Sequence, residues 1–101
     1  MNQILVSNRH YLYLLKRDFD LKRIKNPLYS LRAYARDLDI NISILSLVFS
    51  QKRDLSIKSG IKIMDKLKLN ALESEMFIDS IIKTYIEKHN HNKLSLQKTG
   101  N

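Results

Sequence analysis

The sequence predicts an all-α domain of five helices, and three observations carry that expectation. The 101 residues include only two glycines and one proline, too few for the many turns of an all-β fold. Apolar side chains recur at i, i+3, i+4 and i+7 in successive segments. Four of those segments begin directly after Ser30, Asn41, Ser56 or Asn70, residue types that cap helix N-termini.

Residues 1–8 read as an N-terminal arm in which Ser7 or Asn8 is placed to cap a first helix from Arg9 to Lys25. Its inward set is Tyr11, Leu12, Leu15, Phe19 and Ile24. Its second half carries Lys16, Arg17, Lys22, Arg23 and Lys25, where cations suit a helix C-terminus. Pro27 ends it, because the residue before proline avoids the α region. Ser30 caps a second helix, Leu31 to Leu38, with Leu31, Tyr34, Ala35 and Leu38 on one face. Asp39 occupies a tight turn. Asn41 caps a third helix, Ile42 to Phe49, with Leu45, Val48 and Phe49 inward.

Gln51-Lys52-Arg53-Asp54 is a polar break. Ser56 caps a fourth helix, Ile57 to Lys68, expected to bury Ile57, Ile61, Met64 and Leu67. Asn70 and Glu73 have capping-box spacing and open a fifth helix from Ala71 to about His89. The apolar set of this last helix is Leu72, Met76, Phe77, Ile78, Ile81, Ile82, Tyr85 and Ile86. Residues 90–101 are polar and aperiodic, which predicts a flexible tail beyond a 9–89 domain.

The net charge is +8 and the pI about 9.8. Residues 1–53 hold ten basic and four acidic side chains, and the remainder eight and six. Such a balance attracts polyanions, although an AT-rich coding sequence also enriches Lys. No cysteine is present, which excludes disulfides, thiolate metal sites and thiol catalysis. Two glycines cannot write a phosphate loop or a dinucleotide fingerprint. No apolar run approaches a membrane span and no signal peptide is visible, so the expected location is the cytoplasm.

Two short helices joined by a three-residue turn, with one helix before and two after, form the plan of a helix-turn-helix domain. In that plan the second of the pair enters the DNA major groove and the first lies across the backbone. Ala35 is small where the two helices cross, and Ile40 plugs the turn.

The stretch from Asn26 to Asn70 resembles the lambda-repressor-like (Cro/XRE) helix-turn-helix. More specifically, it resembles the N-terminal region of a bacterial family regarded as transcriptional regulators. The shared residues are Lys25, Asn26, Pro27, Tyr29, Ser30, Arg32, Ala33, Ala35, Arg36, Asp37, Leu38, Ser43, Leu45, Ser46, Lys52, Arg53, Leu55 and Ser56. Lys62, Ile63, Leu67, Leu69, Glu75 and Phe77 continue the match, which covers about residues 10–86. Three positions depart from the family pattern. Asp39 and Gln51 stand where the family has glycine, and Gly60 where it has alanine. A mid-helix glycine weakens the fourth helix by up to about 1 kcal/mol. Family members continue into a longer C-terminal region.

The resemblance implies a nucleoid-associated, DNA-binding regulator whose bases are read from Ile42, Ser43, Ile44 and Leu47. Of the residues there, Asn41, Ser43 and Ser46 can hydrogen-bond, whereas specific readout usually employs Arg, Lys, Asn or Gln. Phosphate contacts are better supplied, by Ser30 and the N-terminus of the second helix, by Arg32 and Arg36, and by Lys52 and Arg53. Affinity is therefore expected from phosphate contacts to double-stranded DNA. The alternative is that Ile42, Ile44 and Leu47 form an apolar protein–protein surface on the third helix.

The long fifth helix has surplus apolar surface at Tyr85 and Ile86, which suits a homodimer that would space two recognition helices along DNA. His89 and His91 lack a third ligand, so no metal is expected. Glu73 and Glu75 read as solvent-facing. No catalytic constellation or cofactor motif is present, so no enzyme activity is expected. The first helix is a basic amphipath, but its apolar face is claimed by the core.

Overall fold

A computed structural model describes residues 9–99, with side chains described through Asn90. Five helices follow one another: α1 (His10–Lys25), α2 (Leu31–Leu38), α3 (Ile42–Phe49), α4 (Ile57–Leu67) and α5 (Ala71–Thr99). There is no strand among the described residues, and no helix among them is long and apolar enough to cross a membrane.

The caps explain the boundaries. Ser30 Oγ accepts from Ala33 N (3.0 Å), Asn41 Oδ1 from Ser43 N (2.7 Å) and Ser56 Oγ from Ser59 N (3.1 Å). Asn70 and Glu73 form a reciprocal capping box. Glu73 N donates to Asn70 Oδ1 (2.8 Å), and Asn70 N to Glu73 Oε1 (3.3 Å). Asn26, before Pro27, is extended and closes α1 as the steric rule requires.

Helix α1 differs, since Arg9 at its start makes no side-chain cap. The backbone N–H of Tyr11 instead donates to Ser80 Oγ of α5, 3.0 Å away. A tertiary contact thus satisfies one of the orphan donors of the first turn. Ser7 and Asn8, the caps suggested by sequence, lie outside the described residues.

The core gathers Tyr11, Leu12, Leu14 and Leu15 of α1 with Tyr34, Ala35, Leu38, Leu45, Val48, Leu55, Ile63, Leu67, Phe77 and Ile81. Helix α1 packs against both α5 and α3. With neighbours on two sides it buries a wider arc than a single stripe, which brings in Leu14. Ile24, expected inside, is 75% exposed, because the apolar core contacts of α1 end at Phe19. Phe19, Tyr29, Tyr34 and Phe49 form an aromatic cluster. Tyr34 Oη donates to Asp18 Oδ2 at 2.7 Å, and burial together with that carboxylate pushes the Tyr34 phenol well above its ordinary range.

On α4 the inward residues are Gly60, Ile63 and Leu67, with Met64 partly buried. Ile61, expected inside, is 53% exposed. The contact face is set by Gly60, which lets α5 approach closely, and α4 is rotated accordingly. On α5 the buried stripe is Phe77, Ser80, Ile81 and Thr84. Its two hydroxyls bond back to the carbonyls of Phe77 and Ser80. Leu72 and Ile82 are exposed instead, and Tyr85 and Ile86, the surplus expected beyond the core, are exposed as well. The helix runs to Thr99, ten residues past the end suggested by the loss of apolar periodicity. No proline or glycine intervenes before Gly100 to stop it.

Candidate nucleic-acid interface

Helices α2 and α3 pack against each other through a turn with left-handed backbone at Asp39 (φ 57°, ψ 50°). Asp39 N donates to Arg36 O (3.1 Å) and Ile40 N to Ala35 O (2.9 Å), the paired bonds of a Schellman motif. The end of α3 repeats this arrangement. Gln51 has φ 62°, its N–H donates to Val48 O (3.0 Å), and Lys52 N donates to Leu47 O (2.9 Å). These two left-handed residues are the two that replace glycine in the family pattern the sequence resembles. Asp39 is tied further to α4 by Lys62 Nζ at 3.1 Å. That ammonium, with Lys66 beyond it, holds the Asp39 carboxyl below its ordinary value.

The outward arc of α3 consists of Ser43, Ser46, Leu47 and Ser50, spaced i, i+3, i+4 and i+7 on one face. Ile42 and Ile44 are partly buried and pack against the core. The expected apolar strip therefore reduces to Leu47, which is 39% exposed. Asn41 Oδ1 is committed to the N–H groups of Ser43 and Ile44, which leaves its amide nitrogen as a donor. Ser30 Oγ accepts within its cap, so its O–H stays available to an anion at the start of α2.

Arg32, Arg36, Lys52 and Arg53 are all exposed, and none forms an ion pair among the described residues. Arg32 sits in the first turn of α2, which holds no acidic residue, so a cation occupies the positive end of a helix dipole. Lys52 and Arg53 lie in a loop fastened by Arg9. The Arg9 guanidinium reaches Asp54 Oδ1 (3.3 Å) and Gln51 Oε1 (3.4 Å). Tyr11 Oη also holds Asp54, at 3.2 Å, and receives Leu55 N (3.3 Å).

The fold thus brings Ser43, Ser46 and Leu47 onto one edge of α3, with Asn41 at its N-terminus, Lys52 and Arg53 directly after it and Arg32 and Arg36 on the adjoining helix. Sequence reasoning gave no site role to Ser50, Gln51 or Arg9. Ser50 continues the helical spacing of Ser43 and Ser46 and was legible from it. Arg9 lies more than forty positions before its partners and had no sequence signal. Comparison of the chain with protein-family models, curated proteins and solved structures gives no match.

Proposed function

We propose that this chain binds double-stranded DNA through α3, as a helix-turn-helix transcriptional regulator. The observation that carries the reading is the outward arc Ser43, Ser46, Leu47 and Ser50 flanked by exposed, acid-free cations. Hydroxyls on a groove-entering helix hydrogen-bond to base edges with little selectivity, and Leu47 suits a thymine methyl. Phosphate contacts from Arg32, Arg36, Lys52, Arg53 and the start of α2 supply most of the affinity. A single exposed leucine is not an apolar patch, which disfavours the protein-docking alternative on α3.

Engagement of about five phosphates gives a log–log salt slope of about −4.5. Absence of any retardation of mixed-sequence or AT-rich duplex at low salt overturns the reading. The outward Ile82, Tyr85 and Ile86 of α5 are the surface proposed to meet a second copy. Light scattering at high concentration tests that, and a mass equal to one 11.9 kDa chain refutes it.

A further inference from the structure

A cleft of about 320 Å³ opens between the loop leading into α4 and the far part of α5, lined by Arg53, Ser56, Tyr85, Lys88 and His89 with Asp54 and Thr84. Two cations from separate elements, Arg53 and Lys88, converge on it, and neither forms an ion pair among the described residues. The one lining carboxylate, Asp54, is already engaged by Arg9 at 3.3 Å and by Tyr11 Oη at 3.2 Å. The cleft reaches as far as Ser56, the N-cap of α4. The first turn of that helix contains no acidic residue, and the N–H groups of Ile57 and Lys58 have no intrahelical acceptor. On the opposite wall the rings of Tyr85 and His89 meet with centroids 4.2 Å apart and planes tilted by 47°. The charged side chains of the lining that are not already engaged are therefore both cations, Arg53 and Lys88.

We propose that this cleft is an anion site that takes a phosphoryl group. Arg53 and Lys88 supply charge, the open N–H groups that follow Ser56 lie next to the cleft and add the positive end of the α4 dipole, and Tyr85 and His89 complete the lining. The site stands on its own geometry. Arg53 is also one of the phosphate contacts of the proposed DNA interface, so the phosphoryl group comes either from a duplex backbone or from a free phosphorylated small molecule.

The test is a titration of the full chain with pyrophosphate, following backbone amide resonances at an ionic strength held constant with chloride. Saturable shifts at Ile57, Lys58 and Ser59 are expected. Charge-assisted hydrogen bonds are worth enough that Arg53→Gln or Lys88→Gln should weaken binding about tenfold or more. Lys25→Gln, far along the chain on α1, is expected to change nothing. Absence of saturable shifts in the folded wild type overturns the site, as does equal binding by the double variant Arg53→Gln/Lys88→Gln. Duplex retardation then separates the sources. Loss of duplex affinity in Lys88→Gln, with pyrophosphate competing, assigns the site to DNA backbone. Unchanged duplex affinity in Lys88→Gln, with pyrophosphate binding lost, assigns it to a free ligand. Pyrophosphate binding without any duplex binding keeps the site and removes the DNA reading, whereas duplex binding without pyrophosphate shifts does the reverse.

Discussion

Gly60 and Ile81 meet where α4 packs on α5, and the space between them does not hold a methyl group. A Cβ on Gly60 collides with Ile81 Cδ1, and Ile81 is itself buried. Two effects compete in Gly60→Ala. Helix propensity gains up to about 1 kcal/mol, while overpacking a tight core costs about 1–3 kcal/mol. A net loss of about 1 kcal/mol is expected, because the displaced Ile81 methyl has only core around it. Ile81→Val removes Cδ1 at about 0.5–1.5 kcal/mol on its own. In the double variant the two costs are expected to be less than additive, since the clash is gone. Urea midpoints of the four proteins check this, and a Gly60→Ala protein more stable than wild type contradicts the close approach.

Gln51 holds a left-handed conformation without the freedom of glycine. Non-glycine residues pay about 1 kcal/mol or more for this backbone. Gln51→Gly is therefore expected to raise stability by about 0.5–1 kcal/mol after the added flexibility of the unfolded chain is discounted. Asp39→Gly is expected to gain less. Asp tolerates the left-handed region better than Gln, and the change also removes the Lys62 pair. A shift in urea midpoint at unchanged m-value is the measurement.

The Ser80 hydroxyl stands in for a cap on α1. It is fully buried, receives Tyr11 N and donates to Phe77 O. Ser80→Ala leaves a buried N–H without an acceptor, at about 1–3 kcal/mol. Hydrogen exchange at the Tyr11 amide is expected to accelerate beyond the global loss of stability. Unchanged relative protection there would mean that α1 finds another acceptor.

These three sites mark where the sequence was legible and where it was not. The caps Ser30, Asn41, Ser56 and Asn70 act within three residues, so their types and spacing sufficed to place four helix starts. The turn at Asp39 was legible for the same reason. The face of α4 was not, because the residue that defines it is a glycine and adds nothing to an apolar pattern. Nor was the face of α5, where Ser80 and Thr84 lie inside and Leu72 and Ile82 outside. A hydroxyl that bonds to the preceding turn of its own helix carries no mark of burial. On α3 the serine edge was visible, whereas the inward lean of Ile42 and Ile44 depended on α1 and α2 lying beneath them.

Two exposed ion pairs set a pH dependence. Arg17 Nη2 lies 2.8 Å from Glu73, and this guanidinium, with the Asn70 N–H, holds the Glu73 carboxyl below its ordinary value. Lys62 does the same to Asp39. Carboxylates with depressed folded-state values bind fewer protons when folded than when unfolded. Stability from them is present above the ordinary carboxylate range and is lost as pH falls through it. The urea midpoint is expected to decline between about pH 5 and about pH 3. The decline should be shallower in Arg17→Met/Lys62→Met, and an equally steep one shows that other carboxylates control it.

The DNA reading separates the cations from the serines by their salt behaviour. Lys52 and Arg53 adjoin the end of α3 and reach solvent, so in the proposed complex each would meet a phosphate whatever the sequence. Lys52→Gln/Arg53→Gln should weaken all duplexes alike and make the salt slope shallower by about 2, close to one unit for each phosphate that is no longer neutralised. Lys52→Glu/Arg53→Glu should abolish retardation while the fold is retained, since neither side chain has a partner in an ion pair among the described residues. Ser46→Ala takes away only a hydroxyl on the outward arc. It is expected to leave the slope unchanged and to alter affinity for some duplexes more than others, because a groove contact carries sequence information and a phosphate contact does not. If Ser46→Ala weakened every duplex equally and the glutamine pair altered none, α3 would not be the element that meets DNA.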